Sequence, residues 1–94
     1  MQKILAALSE PTRRAGLRLL WDSKEHCVCE LMERLDASQS RMSRHMKALA
    51  DAGLVTGRRD AQWVRYKRCP NIPSEVSAFI DALWTAEDAE QEKT

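Results

Sequence analysis

No apolar run in this 94-residue chain approaches the roughly 18 consecutive residues that a membrane-crossing helix needs, so a helical span is excluded. The opening MQKILAALSEPTRR is broken early by charge and proline and lacks the layout of a signal peptide, which points to a cytoplasmic location without membrane contact. Cysteine is scarce: three residues, an odd number without framework spacing. A reducing compartment is expected to keep them as thiols, so ligand or reactive roles compete with inert burial. There is no Cys-x-x-Cys motif and no parallel-sheet pattern, which weakens a thiol-redox enzyme and leaves a non-enzymatic role as the expectation. Internal repeats and long linkers are also missing. What remains, 44% hydrophobic and 31% charged residues, suits one small domain. A domain this short buries a modest fraction of its surface, so an apolar helix face near a terminus is expected to pair with a second copy.

The net charge of +1 conceals a segregation. Residues 1 to 40 are balanced, residues 41 to 68 carry +6, and residues 69 to 94 carry −5. A cationic block in the middle third is the footprint of a surface that meets phosphate. A protein-interaction module with no DNA partner has no obvious use for it.

Apolar spacing predicts a short helix with Ile4, Leu5 and Leu8, then a second that Pro11 can open, with Ser9 or Glu10 as cap and Leu17, Leu20 and Trp21 inward. Gly16 weakens that helix by about 1 kcal/mol relative to alanine, which implies close packing there. Val28, Leu31, Met32 and Leu35 recur at i, i+3, i+4 and i+7, a third helix beginning near Cys27. After Asp36 and Ala37, Ser38 can cap a fourth helix that buries Met42, Met46 and Leu49 and stops at Gly53. LVTGRRDAQWVRYKR reads as two strands around a turn at Asp60. Ser74 then caps a last helix carrying Val76, Phe79, Ile80, Leu83 and Trp84. The fold class is mainly α with a small β-hairpin wing, about five helices and two strands. The domain is expected over residues 1–84, with residues 85–94 an acidic, disordered tail.

Two helices joined by a short turn, the second ending in glycine and followed by a basic hairpin, describe a winged helix-turn-helix. The second helix then enters the major groove of double-stranded DNA. Arg41 and Arg44 suit guanine and Gln39 suits adenine. Ser38, Ser40, Ser43 and Lys47 suit phosphate. His45 lies beside the apolar stripe and suits packing or base contact equally. On the hairpin Arg58, Arg59, Gln62 and Arg65 are placed to reach backbone or minor groove. Ile4, Leu5, Leu8, Val76, Phe79, Ile80 and Leu83 are the candidate homodimer surface.

On LSEPTRRAGLRLL, HCVCELMERLDASQSRMSRHMKALADAGLV and RRDAQWVRYKR, spanning roughly residues 4 to 84, the chain resembles the ArsR/SmtB family of metal- and metalloid-responsive winged-helix repressors. The resemblance is to the arsenic- and antimony-responsive branch, whose Cys-Val-Cys-Asp-Leu-Cys element binds the trivalent metalloid. Cys27 and Cys29 match its first two thiols, and Met32 stands where the third would be. The resemblance therefore implies a repressor that leaves operator DNA when trivalent arsenic or antimony, or an organoarsenical, binds these thiols, with no organic cofactor. Cys69, His26, water and hydroxide stay open as further ligands, and cadmium or lead as rival inducers. The family's zinc site uses His and Asp on the last helix, and residues 72–94 contain no histidine. Side chains two apart on a helix point to different sides. Joint binding by Cys27 and Cys29 is thus expected to unwind the first turn.

Overall fold

The computed structural model describes residues 1–92. Its elements run α1 (Gln2–Leu8), α2 (Pro11–Leu19), a 3-10 turn (Leu20–Asp22), β1 (His26–Cys27), α3 (Val28–Leu35), α4 (Gln39–Asp51), β2 (Val55–Asp60), β3 (Trp63–Arg68) and α5 (Ser74–Glu92). Local chemistry sets these boundaries. Pro11 opens α2, where its missing N–H costs nothing, and the Glu10 carboxylate accepts from Arg13 N at 2.7 Å to cap it. Ser38 Oγ accepts from Arg41 N at 3.3 Å at the start of α4. Gly53, at φ +79°, takes the left-handed conformation that turns the chain from α4 toward β2.

The core is one cluster. Leu17 and Leu20 from α2 and its extension, Val28 and Leu31 from α3, Met42, Met46 and Leu49 from α4, Leu54 before the wing and Ile80 from α5 are all fully buried. Each fully buried aliphatic side chain contributes about 1.5–3 kcal/mol of transfer free energy. Gly16 lies against this cluster: a Cβ there would stand 2.9 Å from Met46 Cε and 3.6 Å from Met42 Cε. The missing side chain lets α2 approach the fourth helix.

Three features differ from the sequence-based expectation. The sheet has three antiparallel strands in the order β1-β3-β2, because His26 and Cys27 pair with Tyr66 and Arg65. Two residues are too few to show a strand period, so β1 exists by virtue of its partner. The acidic segment after Trp84 is helical through Glu92, because it lies against basic residues of α2. Arg14 Nε donates to Glu87 at 2.8 Å, and Arg18 Nη2 donates to both Asp88 oxygens at 2.8 and 2.9 Å. The last two residues of the expected tail lie outside the described residues.

Lastly, Leu8 and Ile80 are 5% and 0% exposed in the single chain, so they belong to its own core and not to a dimer surface. Ile4, Val76 and Leu83 pack partly against that core, while Leu5 and Phe79 stay 45% and 42% exposed. Helix α5 is anchored by Trp21, whose Nε1 donates to Asp81 at 2.7 Å and whose ring meets Trp84 edge-on at 6.0 Å. No described helix is long and apolar enough to cross a membrane.

Candidate nucleic-acid interface and thiol site

The turn between α3 and α4 is short because Asp36 adopts a left-handed conformation and Ala37 N donates back to Met32 O at 3.1 Å. With Met42, Met46 and Leu49 buried, Gln39, Ser40, Arg41, Arg44 and Lys47 are left exposed on the outer side of α4. Ser43 and His45 are half-buried at its margins. Among the described residues Gln39, Arg41 and Ser43 have no side-chain partner. Arg44 Nε donates weakly to Ser40 O at 3.4 Å, and Lys47 Nζ lies 3.4 Å from Asp51. These donors are available to an external acceptor.

The wing is less free. Arg58 donates through Nε and Nη2 to both oxygens of Glu25, at 2.9 and 2.8 Å. That pairing holds the Glu25 carboxyl below its ordinary pKa. Arg65 Nε donates to Asp60 at 2.7 Å. Both arginines lie on the wing as expected, and both are already occupied by carboxylates. Arg59 and Gln62 remain exposed near the tip. Sequence reasoning missed Glu25, whose partner is 33 residues away.

At the other end of this contact lies the cysteine pair. Cys27 is in extended backbone (φ −65°, ψ 143°) and caps α3, its sulfur accepting from Cys29 N at 3.3 Å. Helix α3 begins only at Val28. Consequently the two sulfurs are not held on different sides of a helix: they meet in a disulfide, with Cα atoms 5.1 Å apart, within the usual range for such a bridge. The expectation of a first turn that must unwind is corrected by this extended residue.

His26 sits beside the pair, 13% exposed, between two carboxylates. Its Nδ1 is 3.0 Å from each Glu30 oxygen and its Nε2 is 2.9 Å from Asp22 Oδ2. Burial works against its charge, but Glu30 and Asp22 outweigh it and raise its pKa. The two carboxylates favour the charged ring with both nitrogens donating, a form that has no lone pair to offer an ion.

Cys69 is not gathered to the pair. Since Cys27 lies opposite Arg65, Cys69 is displaced by four residues, about 13 Å along an extended chain. Its amide donates to Leu54 O at 2.9 Å, and its side chain lines a separate hollow with Ser23 and Pro70. Among the described residues, no group of three or more His, Cys, Asp or Glu side chains is arranged to hold a metal ion.

A helix pair with an exposed donor-rich second helix, followed by a basic hairpin on a three-stranded sheet, defines a winged helix-turn-helix DNA-binding protein. Relatives sharpen that class. The family model for bacterial regulatory proteins of the arsR family matches residues 10–56. The arsenical resistance operon repressor of Escherichia coli is 37% identical over 85 residues, covering 90% of this chain and 73% of that protein. Among solved structures, reduced HlyU from Vibrio cholerae is similar with a TM-score of 0.72 at 38% identity, covering 86% of this chain and 81% of that one. A possible transcriptional regulator for arsenical resistance is similar with a TM-score of 0.68 at 38% identity, covering 85% and 82%. The chain belongs to the arsR family of bacterial regulatory proteins and is a transcriptional repressor of that family, not an enzyme.

Proposed function

We propose that this protein is a homodimeric repressor that holds operator DNA through α4 and the wing and releases it when a trivalent arsenic or antimony species takes Cys27 and Cys29. The observation that carries the reading is the placement of Cys27 on β1, a strand hydrogen-bonded to the wing, with Cys29 beside it in the first turn of α3. Cys27 lies opposite Arg65, and Glu25, two residues before Cys27, holds Arg58.

Two adjacent soft sulfurs fit a thiophilic centre once the bridge is opened. A cellular thiol reductant supplies the two electrons, and with two protons the bridge becomes two thiols. Each thiol that binds arsenous or antimonous acid then gives its proton to a departing hydroxide, which leaves as water. The N–H of Cys29 directed at the Cys27 sulfur favours its thiolate. The neighbouring carboxylates are already occupied, Glu25 by Arg58 and Glu30 by His26 and Arg34. With no third ligand side chain gathered at the pair among the described residues, the site suits a centre that keeps one hydroxide or carries one organic group.

Because the sulfurs already meet with α3 formed, coupling does not require helix to unwind. It runs through the β1–β3 ladder, where a shift of Cys27 displaces Arg65 and, across the β3–β2 ladder, the Arg58 that lies opposite it. Coupling of about 1–3 kcal/mol, typical of such linkage, lowers operator affinity about 5- to 150-fold, and DNA weakens the inducer equally. Exposed Leu5 and Phe79 on α1 and α5 support a second copy as the partner on that side.

The test is fluorescence anisotropy of an operator duplex on reduced protein, titrated with arsenite, antimonite, phenylarsine oxide, cadmium and zinc. Trivalent arsenic and antimony should release wild type and Cys69→Ser, but not Cys27→Ser or Cys29→Ser. Release of Cys27→Ser at wild-type inducer concentration would remove the site from this pair, and release by cadmium alone would replace the metalloid with a metal cation.

A further inference from the structure

Between the first turn of α2 and the first half of α4 lies a cavity of about 300 Å³ lined by Arg13, Arg41, Arg44 and His45. Three arginines and a histidine thus line one hollow. Arg13 is fixed there by the end of α1, its Nε donating to Ala7 O at 2.7 Å and its Nη2 to Ala6 O at 3.2 Å. One carboxylate faces it: Glu10 Oε2 caps α2 and also lies 3.7 Å from His45 Nε2, within ion-pair range but beyond hydrogen-bonding distance. His45 Nε2 is buried and has no hydrogen-bond partner. Like charges gathered at a concave site repel unless an anion joins them, and a guanidinium fork matches phosphate oxygens in shape as well as charge.

We propose that this cavity is the receptor for one phosphate group, supplied by the DNA backbone when a duplex lies along α4, with Arg13 as a direct contact and His45 as its proton-linked member. The proposal rests on the DNA-binding reading for the source of the phosphate, though not for the chemistry of the cavity. It adds Arg13, a residue of α2 outside the helix-turn-helix and wing, to the contact surface. A phosphate there positions the protein on the duplex without reading sequence.

The groups facing His45 are Glu10 and Arg13 from α2 and its cap, and Arg41 and Arg44 from its own helix. Burial lowers its pKa most, Glu10 opposes that, and the three arginines lower it further. A phosphate offsets the arginines and favours the charged ring, so the complex binds a proton that the free protein does not. Duplex affinity therefore rises as pH falls through the ordinary histidine range, and levels off, with the gain kept, where both states are already protonated.

The experiment follows both histidine rings by NMR over a pH series in wild-type protein alone, with saturating duplex of arbitrary sequence at low salt, and with millimolar inorganic phosphate. Anisotropy measures duplex binding on the same samples. With duplex, proton affinity at His45 should rise at least about tenfold, while His26, held by Asp22 and Glu30, stays unmoved. A rise with duplex alone assigns the cavity to the DNA backbone, and a rise with both ligands assigns it to phosphate in either form. Arg41→Gln and Arg13→Gln should each shrink the rise and flatten the dependence of log K on log salt by about 0.9, the loss of one phosphate contact. Duplex bound with His45 unmoved overturns the proposal while leaving the DNA-binding reading intact. No duplex binding, with His45 moved by inorganic phosphate, overturns the assignment to the DNA backbone together with the DNA-binding reading and keeps only the phosphate chemistry of the cavity.

Discussion

Adding one methyl group at Gly16 tests how α2 positions α4. The new Cβ would lie 2.9 Å from Met46 Cε, 3.6 Å from Met42 Cε and 3.7 Å from Leu35 Cδ1. Alanine gains about 1 kcal/mol of helix propensity over glycine. Against that stands one contact that must open by a few tenths of an ångström. The crowded atom is the end of a methionine with three rotatable bonds, so the cost falls at the low end of the 1–3 kcal/mol typical of overpacking. Gly16→Ala should therefore leave stability within about 1 kcal/mol of wild type.

In a Met46→Ala background, itself costing about 2–5 kcal/mol, the same methyl meets only ordinary contacts with Met42 and Leu35 and should stabilise by the full propensity gain of about 1 kcal/mol. The two sites should thus couple by at least about 0.5 kcal/mol. Urea unfolding of the four proteins, at unchanged m, measures the cycle. If Gly16→Ala costs about 2 kcal/mol or more in both backgrounds, Met46 is not what limits space at Gly16, and the packing argument fails.

Glu25→Gln removes the carboxylate that occupies Arg58, and should tighten duplex binding and steepen its salt dependence by about 0.9 in log–log slope; unchanged slope by anisotropy would show that Arg58 does not reach phosphate. Leu5→Glu and Phe79→Glu place charge on exposed apolar positions and should yield folded monomers with weak operator affinity, whereas Ile80→Glu buries an unpaired carboxylate and should unfold the chain. Sedimentation and circular dichroism separate these outcomes, and a folded dimer of Phe79→Glu would place the interface elsewhere.

The helices were legible because their information is local. Pro11 opening α2, Ser38 opening α4, and the spacing of Met42, Met46 and Leu49 all act within a few residues, so periodicity and capping chemistry find them without the fold. The same holds for the cationic side of α4, which is what remains when its apolar side is buried. The two-residue strand β1 was not legible, since pairing with β3 creates it. Nor was Glu25, whose meaning depends on Arg58 across the sheet. An apolar stripe on the last helix says which positions avoid water, but not whether the chain's own core or a second copy receives them.

The amino-acid order by itself determined the helix-turn-helix with its wing, the concentration of positive charge on that unit, and the presence of two thiols one residue apart. Tertiary structure decided what those parts do to one another. It began the third helix at Val28 and joined Cys27 to the wing. It also left Cys69 apart, buried Leu8 and Ile80, and brought Arg13 beside His45. The physical reason is range: capping and helical periodicity operate over one or two turns, whereas strand pairing, ion pairs across a sheet and burial depend on which distant segments the core brings together.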